Sequence, residues 1–281
     1  MAVKRRPLLT KIALHLGLVP FLIFALFPFY HMALTSLKQD RELYDRHASP
    51  LLIHQGPTLE HYVHLLQETA FGTWVKNSLL VTVLATTLSV VIGTIAAYVL
   101  ARLKFFGVAT FGTAIFVTYL VPTSLLFLPL AQVVNTLGLG DSKWSLVVTY
   151  PTFLVPFCTW LLMGYFRTVP KEVEECAMVD GATRIQALLR IVLPIAVPGL
   201  VCAVLFAFTL SWNEFIYALT FTSSSDEITA AVGVTSELIR GDIYFWGGLM
   251  AGAVLGSVPI VILYVFFLDY YVSGLTAGAV K

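Results

Sequence analysis

The chain has 281 residues, of which 58% are hydrophobic and only 12% are charged, and its mean hydropathy is +0.86. Soluble globular domains carry roughly 25% charged residues, so this composition predicts an integral membrane protein. The net charge of +1 argues against nucleic-acid binding, which requires a concentrated basic surface.

Six apolar runs are long enough to cross a bilayer, since a helical span needs roughly 20 such residues. The predicted spans are residues 12–36, 75–101, 109–133, 144–166, 197–221 and 246–268. Lys and Arg are enriched in cytoplasmic loops. With the N-terminus inside, eleven of the 17 basic residues fall on the cytoplasmic side. We therefore expect an all-α membrane protein with six transmembrane helices and both termini in the cytoplasm.

The N-terminal sequence does not favour a cleaved signal peptide, and the cysteines do not favour disulfides or metal clusters. The first six residues are basic, but the apolar run that follows is long enough to span and has no small-residue cleavage site, which argues against a cleaved signal peptide. Cys158, Cys176 and Cys202 are odd in number and lack C-x-x-C spacing. This pattern argues against disulfides and metal clusters.

The first outer loop, residues 37–73, contains His47, His54, His61 and His64. Separations of seven, seven and three residues match no compact set of metal ligands. Solvated loop histidines are therefore the expectation, with a metal site as the alternative.

Two stretches of the outer loops predict short helices. One is residues 58–67 and the other is residues 229–240. The first is predicted to lie at the membrane surface with its apolar side chains on one face, formed by Leu59, Tyr62, Val63 and Leu66.

Prolines occur in pairs in the third and fourth spans, at Pro122 and Pro129 and at Pro151 and Pro156. A proline frees a backbone carbonyl, which within a bilayer only protein or water can satisfy. Interrupted helices of this kind often line substrate cavities near the midplane of the membrane. Kinked packing without a cavity explains the same prolines equally well.

The fifth span contains Trp212, Asn213 and Glu214, and Glu214 is the only acidic residue deep inside a predicted span. It lies about 16 residues from the inner end, or ~24 Å at 1.5 Å per residue. A carboxylate exposed to lipid costs several kcal/mol, so this side chain must face protein or a wet cavity. One interpretation is a substrate path, in which the indole and the amide bind a sugar. The other is a hydrogen bond that stabilises the packing of the spans or a gate.

The most charged long segment, residues 168–194, lies between the fourth and fifth spans and predicts a hairpin of two short helices. Thr168 suits an N-cap, and Gly181 suits a left-handed turn at the end of the first helix. Thr183 and Gln186 form a capping box that begins the second helix. That helix is predicted to carry one apolar stripe, formed by Ile185, Leu188, Leu189 and Val192.

The spacing within residues 168–194 resembles the EAA loop of binding-protein-dependent ABC importer permeases. The resemblance consists of Glu175-Cys176-Ala177, Gly181 after three further residues, Ile191 after nine more, and Leu193-Pro194 at the end. In that family this loop is the coupling helix, which docks into a cleft on the ATPase subunit. Cys176 departs from the pattern, because the family usually has Ala there.

Other segments resemble the carbohydrate-type members of the same family. Residues 74–103 are similar to the corresponding segment of sugar-type permeases, and a similar Trp-Asn-Glu pattern occurs in the fifth span. Residues 272–281 are similar to the cytoplasmic tail of maltose-type permeases, which reaches toward the ATPase dimer. Asp269 departs from the pattern, because the family usually has a basic residue just before this tail.

The resemblance implies a type I ABC importer permease fold, with residues 1–281 as a single transmembrane permease domain in the inner membrane, in contact with lipid. It implies that the chain translocates a sugar or sugar-like solute together with a second permease, two ATPase subunits and an extracytoplasmic solute-binding protein. ATP and Mg²⁺ would be bound by the partner ATPase. The residues implied in coupling are Glu175, Cys176, Ala177, Asp180, Gly181 and Arg184.

The chain has no G-x-x-x-x-G-K-[ST] phosphate loop and no common hydrolase or metal motif, so we do not expect it to hydrolyse ATP itself. An ion-coupled secondary transporter that uses Glu214 is the alternative function. It would require further intramembrane charges and would leave the hairpin unexplained. A membrane-embedded enzyme is a third possibility, but the sequence contains no paired catalytic groups that would support it.

Overall fold

The structure, a computed structural model, describes the backbone of residues 8–276 and the side chains of residues 14–239 and 241–272. The amino-terminal helices are α1 Leu8–Ser36, α2 Asp40–Leu43, α3 Glu60–Gln67, α4 Phe71–Arg102, α5 Val108–Tyr119, α6 Thr123–Thr136, α7 Lys143–Thr149 and α8 Pro151–Phe166. Then follow α9 Lys171–Val179, α10 Arg184–Ala187, a π-helix Leu188–Val192, α11 Leu193–Ile195, α12 Val197–Trp212, α13 Ile216–Phe221 and α14 Ala230–Leu238. The last elements are β1 Ile239–Arg240, β2 Ile243–Tyr244, α15 Trp246–Phe266 and α16 Leu268–Thr276.

Among the described residues, four helical stretches are long and apolar enough to cross a membrane: residues 14–36, 71–102, 143–166 and 246–266. Two bent pairs of helices bring the number to six if each pair is one span. In the first pair α5 and α6 meet at 96°, and in the second the helical run 184–195 meets α12 at 79°. Helices therefore occur at all six predicted runs.

The bend in the third predicted span coincides with a proline. Pro122 is the N-cap of α6 and has extended backbone (φ −58°, ψ 126°). A proline disfavours helical conformation at the residue before it, so α5 ends at Tyr119 and a new helix begins at Thr123. The second proline of this pair, Pro129, lies inside α6.

The described chain divides into two compact units. One contains the residues through Thr69 together with Val234–Leu255, and the other contains Ala70–Gly233 together with the residues from Gly256 onward.

In the larger unit, α4 packs along α8 and α12. Gly93 makes the closest approach, because a Cβ built on it would lie 2.7 Å from the Cβ of Cys158 and 3.2 Å from the backbone nitrogen of Thr159. A buried apolar cluster lies toward the Arg102 end of α4. Its buried members are Ala97, Tyr98, Leu162, Phe166, Val192, Ala196 and Ala203.

In the smaller unit, a buried ion pair organises the loop that follows α1. Lys38 Nζ lies 3.2 Å from Glu42 Oε1, and the two side chains are 4% and 1% exposed. The Glu42 carboxylate also accepts the backbone N–H groups of His54 and Gln55, each at 3.1 Å. Burial raises the pKa of the Glu42 carboxyl, but these two N–H groups and the Lys38 ammonium outweigh burial, so the pKa lies below its ordinary value of 4.5.

Helix α3, Glu60–Gln67, forms within the predicted stretch, and most of its predicted apolar face is not buried by protein. Leu59, Val63 and Leu66 are exposed, whereas His61 and Leu65 are buried. His61 Nε2 lies 2.8 Å from the carbonyl oxygen of Lys38. The hydrogen bond satisfies a ring nitrogen that burial would otherwise penalise, so the expectation of a solvated loop histidine is wrong for His61.

The predicted helix over residues 229–240 is partly correct. Helix α14 occupies Ala230–Leu238, but the chain then forms a short antiparallel hairpin in which Ile239 pairs with Tyr244 and Arg240 with Ile243. Gly241 lies in its turn with φ +63°, a conformation that glycine adopts without steric cost.

Candidate functional site

The predicted turn of the hairpin at residues 168–194 is confirmed. Gly181 has φ +91°. Its N–H donates to the carbonyl of Met178 at 3.1 Å, and the N–H of Ala182 donates to the carbonyl of Ala177 at 3.0 Å. These two bonds form a Schellman motif, which satisfies carbonyls at the end of α9.

The predicted start of α9 is wrong. The helix begins at Lys171 with Pro170 at the N-cap, and no side chain caps it. The Thr168 hydroxyl instead donates to the carbonyl of Tyr165 at 2.7 Å, at the end of the preceding helix. Thr168 therefore serves the end of α8 rather than the start of α9.

The capping box at the start of α10 is present as predicted. The N–H of Gln186 donates to Thr183 Oγ1 at 3.3 Å, and the N–H of Thr183 donates to Gln186 Oε1 at 2.9 Å. The two bonds satisfy two N–H groups that a helix start leaves unpaired.

The predicted apolar stripe of the second helix is only half correct. Val192 is buried and Leu188 is half-buried, but Ile185 and Leu189 are 70% and 57% exposed. The helix changes to π geometry at Leu188–Val192, and a π turn takes one residue more than an α turn. From Leu188 onward, the apolar period of 3.6 residues therefore no longer predicts which side chains of this helix are buried.

The residues that the resemblance implies in coupling lie on the accessible surface of the hairpin. Ala177 is half-buried, and the others are exposed. They are Glu175, Cys176, Asp180, Gly181 and Arg184. Four large apolar side chains are exposed on the same hairpin: Val173 at 40%, Val179 at 87%, and Ile185 and Leu189 described above. The combination of exposed polar and apolar side chains suits a protein partner.

A polar cluster that the sequence did not reveal fastens this hairpin to α4. The Tyr98 hydroxyl donates to Oε1 of Glu174, and Arg102 Nε lies 3.2 Å from Oε2 of the same carboxylate. Arg102 Nη2 also donates to the carbonyl of Val169 at 2.8 Å. The side chains of Arg102 and Glu174 are 3% and 6% exposed. We refer to Tyr98, Arg102 and Glu174 as the α4–α9 cluster.

An open groove of about 510 Å³ lies beside this cluster, between α4, the turn that follows it and α9. Its charged lining residues are Arg102, Lys104, Lys171 and Arg184 together with Glu174 and Glu175. The groove is therefore mainly basic and includes two of the residues implied in coupling.

The opposite end of α4 holds a loop, residues 222–229, through three side chains. Trp74 Nε1 donates to the carbonyl of Ser225 at 3.0 Å. Asn77 Nδ2 donates to the carbonyls of Asp226 and Ile228 at 2.8 and 3.0 Å. Ser78 Oγ accepts the N–H of Ala230 at 2.8 Å, just after this loop.

Two further contacts fix the same loop to the segment that begins α7. The Asp141 carboxylate accepts the N–H groups of Ser223 and Ser224 at 2.7 and 2.9 Å and also the Ser224 hydroxyl. The Ser224 hydroxyl and these N–H groups hold the pKa of Asp141 below its ordinary value. Lys143 Nζ pairs with Glu227 Oε1 at 3.1 Å.

The structure does not bring Trp212, Asn213 and Glu214 together as one binding surface. Trp212 is buried, and its Nε1 donates to the carbonyl of Gly256 at 3.1 Å. Asn213 is exposed, and its Nδ2 donates to the carbonyl of Thr209 at 2.9 Å. The role of this group in a substrate path therefore stays a prediction.

Glu214 lies at a break in the fifth predicted span, between α12 and α13. Its carboxylate accepts the N–H of Tyr217 at 2.9 Å and the N–H of Ala218 at 3.1 Å. It thus caps the first turn of α13, where a negative charge also complements the helix dipole. Both bonds are local to the fifth predicted span, so the two interpretations of Glu214 both stay predictions.

Within the part of the chain that the structure describes, no group of three His, Cys, Asp or Glu side chains is placed to hold a metal ion. His61 and His64 each lie within 4.0 Å of a carboxylate oxygen, of Asp40 at 3.8 Å and of Glu68 at 2.8 Å.

Comparison with known proteins identifies the family. Residues 66–276 match the family described as binding-protein-dependent transport system inner membrane component. The chain is 37% identical to the inner membrane ABC transporter permease protein YcjP of Escherichia coli, over 100% of both chains. It is 35% identical to the trehalose/maltose transport system permease protein MalG of Thermococcus litoralis, over 99% of both chains.

The fold agrees with this assignment. The structure of a bacterial ABC transporter involved in the import of the acidic polysaccharide alginate superposes with a TM-score of 0.76 at 20% identity, covering 96% of this chain and 99% of that one. The chain thus belongs to the binding-protein-dependent transport system inner membrane components and is a multi-pass inner membrane permease of the ABC importer type.

Proposed function

We propose that this chain is the permease subunit of an ATP-driven importer that carries a sugar or sugar-like solute into the cell. The observation that carries the proposal is the hairpin at residues 168–194, which ends in a Schellman turn and exposes Glu175 and Arg184 beside apolar side chains. The trehalose/maltose relative supports the class of solute.

The energy for transport would come from partner subunits. The chain lacks a phosphate loop, so two ATPase subunits would bind ATP and Mg²⁺ and would dock against the hairpin. One hairpin per chain also calls for a second, homologous permease, because the ATPases of such importers work as dimers with one docking cleft each.

A solute-binding protein would deliver the sugar on the opposite side of the membrane. The structure of an alginate transporter in complex with a pentasaccharide-bound periplasmic protein has the same kind of assembly. Closure of the ATPase dimer would move the two hairpins together, and the spans would alternate access between the two sides of the membrane.

An ion-coupled secondary transporter is disfavoured by the surroundings of Glu214. Both carboxylate oxygens accept backbone N–H groups of α13. A carboxylate used in this way stabilises a helix start, and an ion would have to compete with those donors.

Reconstitution tests the proposed function directly. The chain, a co-purified second permease, their ATPase and the binding protein are placed in proteoliposomes, and uptake is measured with labelled trehalose, maltose and longer oligosaccharides. We expect uptake of at least one sugar that requires both ATP and the binding protein. Uptake by the purified chain alone, driven by an ion gradient, would refute the proposal.

A further inference from the structure

Helix α4 is the longest helix among the described residues, and no proline lies within residues 71–102. At 1.5 Å per residue its 32 residues extend about 48 Å. Helices without proline rarely kink sharply. By contrast, α1, α6, α8 and α15 each contain an internal proline. Helix α4 is therefore suited to move as one rigid element.

One end of α4 is fixed to the hairpin by buried charges. The carboxylate of Glu174 contacts both Tyr98 and Arg102, which lie one helical turn apart on α4, and the guanidinium also holds the carbonyl of Val169. Removing one partner of a buried ion pair leaves an uncompensated charge and is strongly destabilising. Because the pair resists separation, a displacement of α9 has to carry the end of α4 with it.

The other end of α4 is fixed to the loop at residues 222–229. Asn77, which is 5% exposed, donates to two carbonyls of this loop, and Trp74, which is 3% exposed, donates to a third. Buried donors without partners cost free energy. The loop and this end of α4 are therefore expected to move together.

From these contacts we propose that α4 transmits the displacement of the hairpin to the loop at residues 222–229, with Glu174, Arg102 and Asn77 as positioning residues. The proposal rests on the proposed function, since it assumes that an ATPase moves the hairpin. It adds a reciprocal relation: a binding protein that displaces the loop changes the position of α9. Linkage requires that coupling of this kind acts in both directions.

The experiment measures how strongly the loaded binding protein stimulates ATP hydrolysis by the reconstituted complex. In Glu174→Gln the amide can still accept the Tyr98 hydroxyl, but Arg102 loses its counter-charge. We expect the stimulation to fall about fivefold or more, in the range of typical coupling effects, while the ATPase still co-purifies and hydrolyses ATP at its basal rate. Glu174→Asp, which restores the charge, should recover part of the stimulation.

The matched control is Glu172→Gln on the same helix, where the carboxylate is exposed. It should leave the stimulation unchanged. At the other end, Asn77→Leu should lower the stimulation as Glu174→Gln does, and Lys76→Gln at the exposed neighbouring position should not. If both substitutions interrupt the same path through α4, the double variant Asn77→Leu/Glu174→Gln should lose no more stimulation than the more severe single variant.

Three results would overturn the proposal. They are wild-type stimulation in Glu174→Gln or Asn77→Leu, losses that multiply in the double variant, and a loss of stimulation that only follows a parallel loss of assembly and basal hydrolysis. If the wild-type complex itself shows no uptake that depends on ATP and the binding protein, the proposed function fails instead. The two failures are therefore distinguishable.

Discussion

Gly181 has a backbone conformation that residues with a side chain rarely adopt. Its φ of +91° completes the Schellman turn between α9 and α10, and a built Cβ would meet nothing within 4 Å. Substitution at position 181 is thus limited by backbone strain and not by the space around the residue. A β-branched residue is the least suited to a positive φ.

We expect Gly181→Val to abolish association with the ATPase while the chain still inserts into the membrane, because the strained turn would misplace Glu175 and Arg184. Co-purification with the ATPase from detergent extracts measures this. Gly138→Val is the matched control, because Gly138 also has a positive φ (+68°) and open space around it but lies far from the hairpin in sequence. Equal loss of ATPase from both variants would show that the turn has no specific role.

The Glu42 carboxyl predicts a dependence of local stability on pH. Its folded pKa lies below the ordinary value of 4.5, so its contribution to stability is complete above that pH and is lost as the pH falls through the folded pKa. We expect the amides of His54 and Gln55 to lose protection against hydrogen exchange below about pH 4.5, after correction for intrinsic rates. Glu42→Gln should remove this change with pH, and Glu60→Gln at an exposed position should keep it. Protection that is independent of pH in the wild type would contradict the role of Glu42.

Single residues were the hardest feature to predict from the sequence. Gly181 and the Thr183–Gln186 capping box were correct, because local hydrogen bonding alone determines them. Glu174 was missed, because its partners Tyr98 and Arg102 are more than 70 positions away in the chain. Nothing local distinguishes it from the exposed Glu175 beside it.

At the scale of elements, α4 and α8 approach closely because Gly93 has no side chain. We expect Gly93→Val to clash with Cys158 and the backbone of Thr159 and to destabilise the protein by roughly 1–3 kcal/mol, as overpacking does. Thermal unfolding in detergent measures the change. Gly164→Val on α8 is the control, because it makes the same change in helix propensity where nothing lies within 4 Å. A similar loss of stability in both variants would attribute the effect to propensity alone.

Helices were predictable as elements, whereas their interruptions were only partly so. Hydrophobic length predicted helices at all six runs. The paired prolines marked the third run, which bends by 96°, and equally the fourth, which remains one candidate span over residues 143–166. The π-helix at Leu188–Val192 carries no sequence signal that the apolar periodicity could reveal. The hairpin at Ile239–Tyr244 was missed because its strands have two residues each, too few for an alternating pattern.

At the scale of the whole molecule, the distribution of Lys and Arg predicts that the hairpin faces the cytoplasm. Cys176 reports on this, because it is exposed while Cys158 and Cys202 are buried. We expect a membrane-impermeant maleimide to label the chain in inside-out vesicles and not in intact cells. Cys176→Ser should abolish the labelling. Labelling in intact cells would place the hairpin outside and would contradict both the orientation and the coupling role.

The predicted cytoplasmic tail bears on the same assembly. Helix α16 includes Asp269 and ends at Thr276, and the rest of the predicted tail, residues 277–281, lies outside the described residues.

Composition and motif spacing sufficed to predict a membrane permease of the importer type. The motifs in the sequence identify a class of permease, and none of them specifies a particular sugar.

Helix α1 has an apolar surface that the rest of the chain does not cover. None of its most apolar window within residues 14–36 is buried by the rest of the chain, so lipid or another subunit has to cover this surface. If the second permease proposed above covers it, the cellular abundance of this chain should follow the supply of that permease rather than its own rate of synthesis.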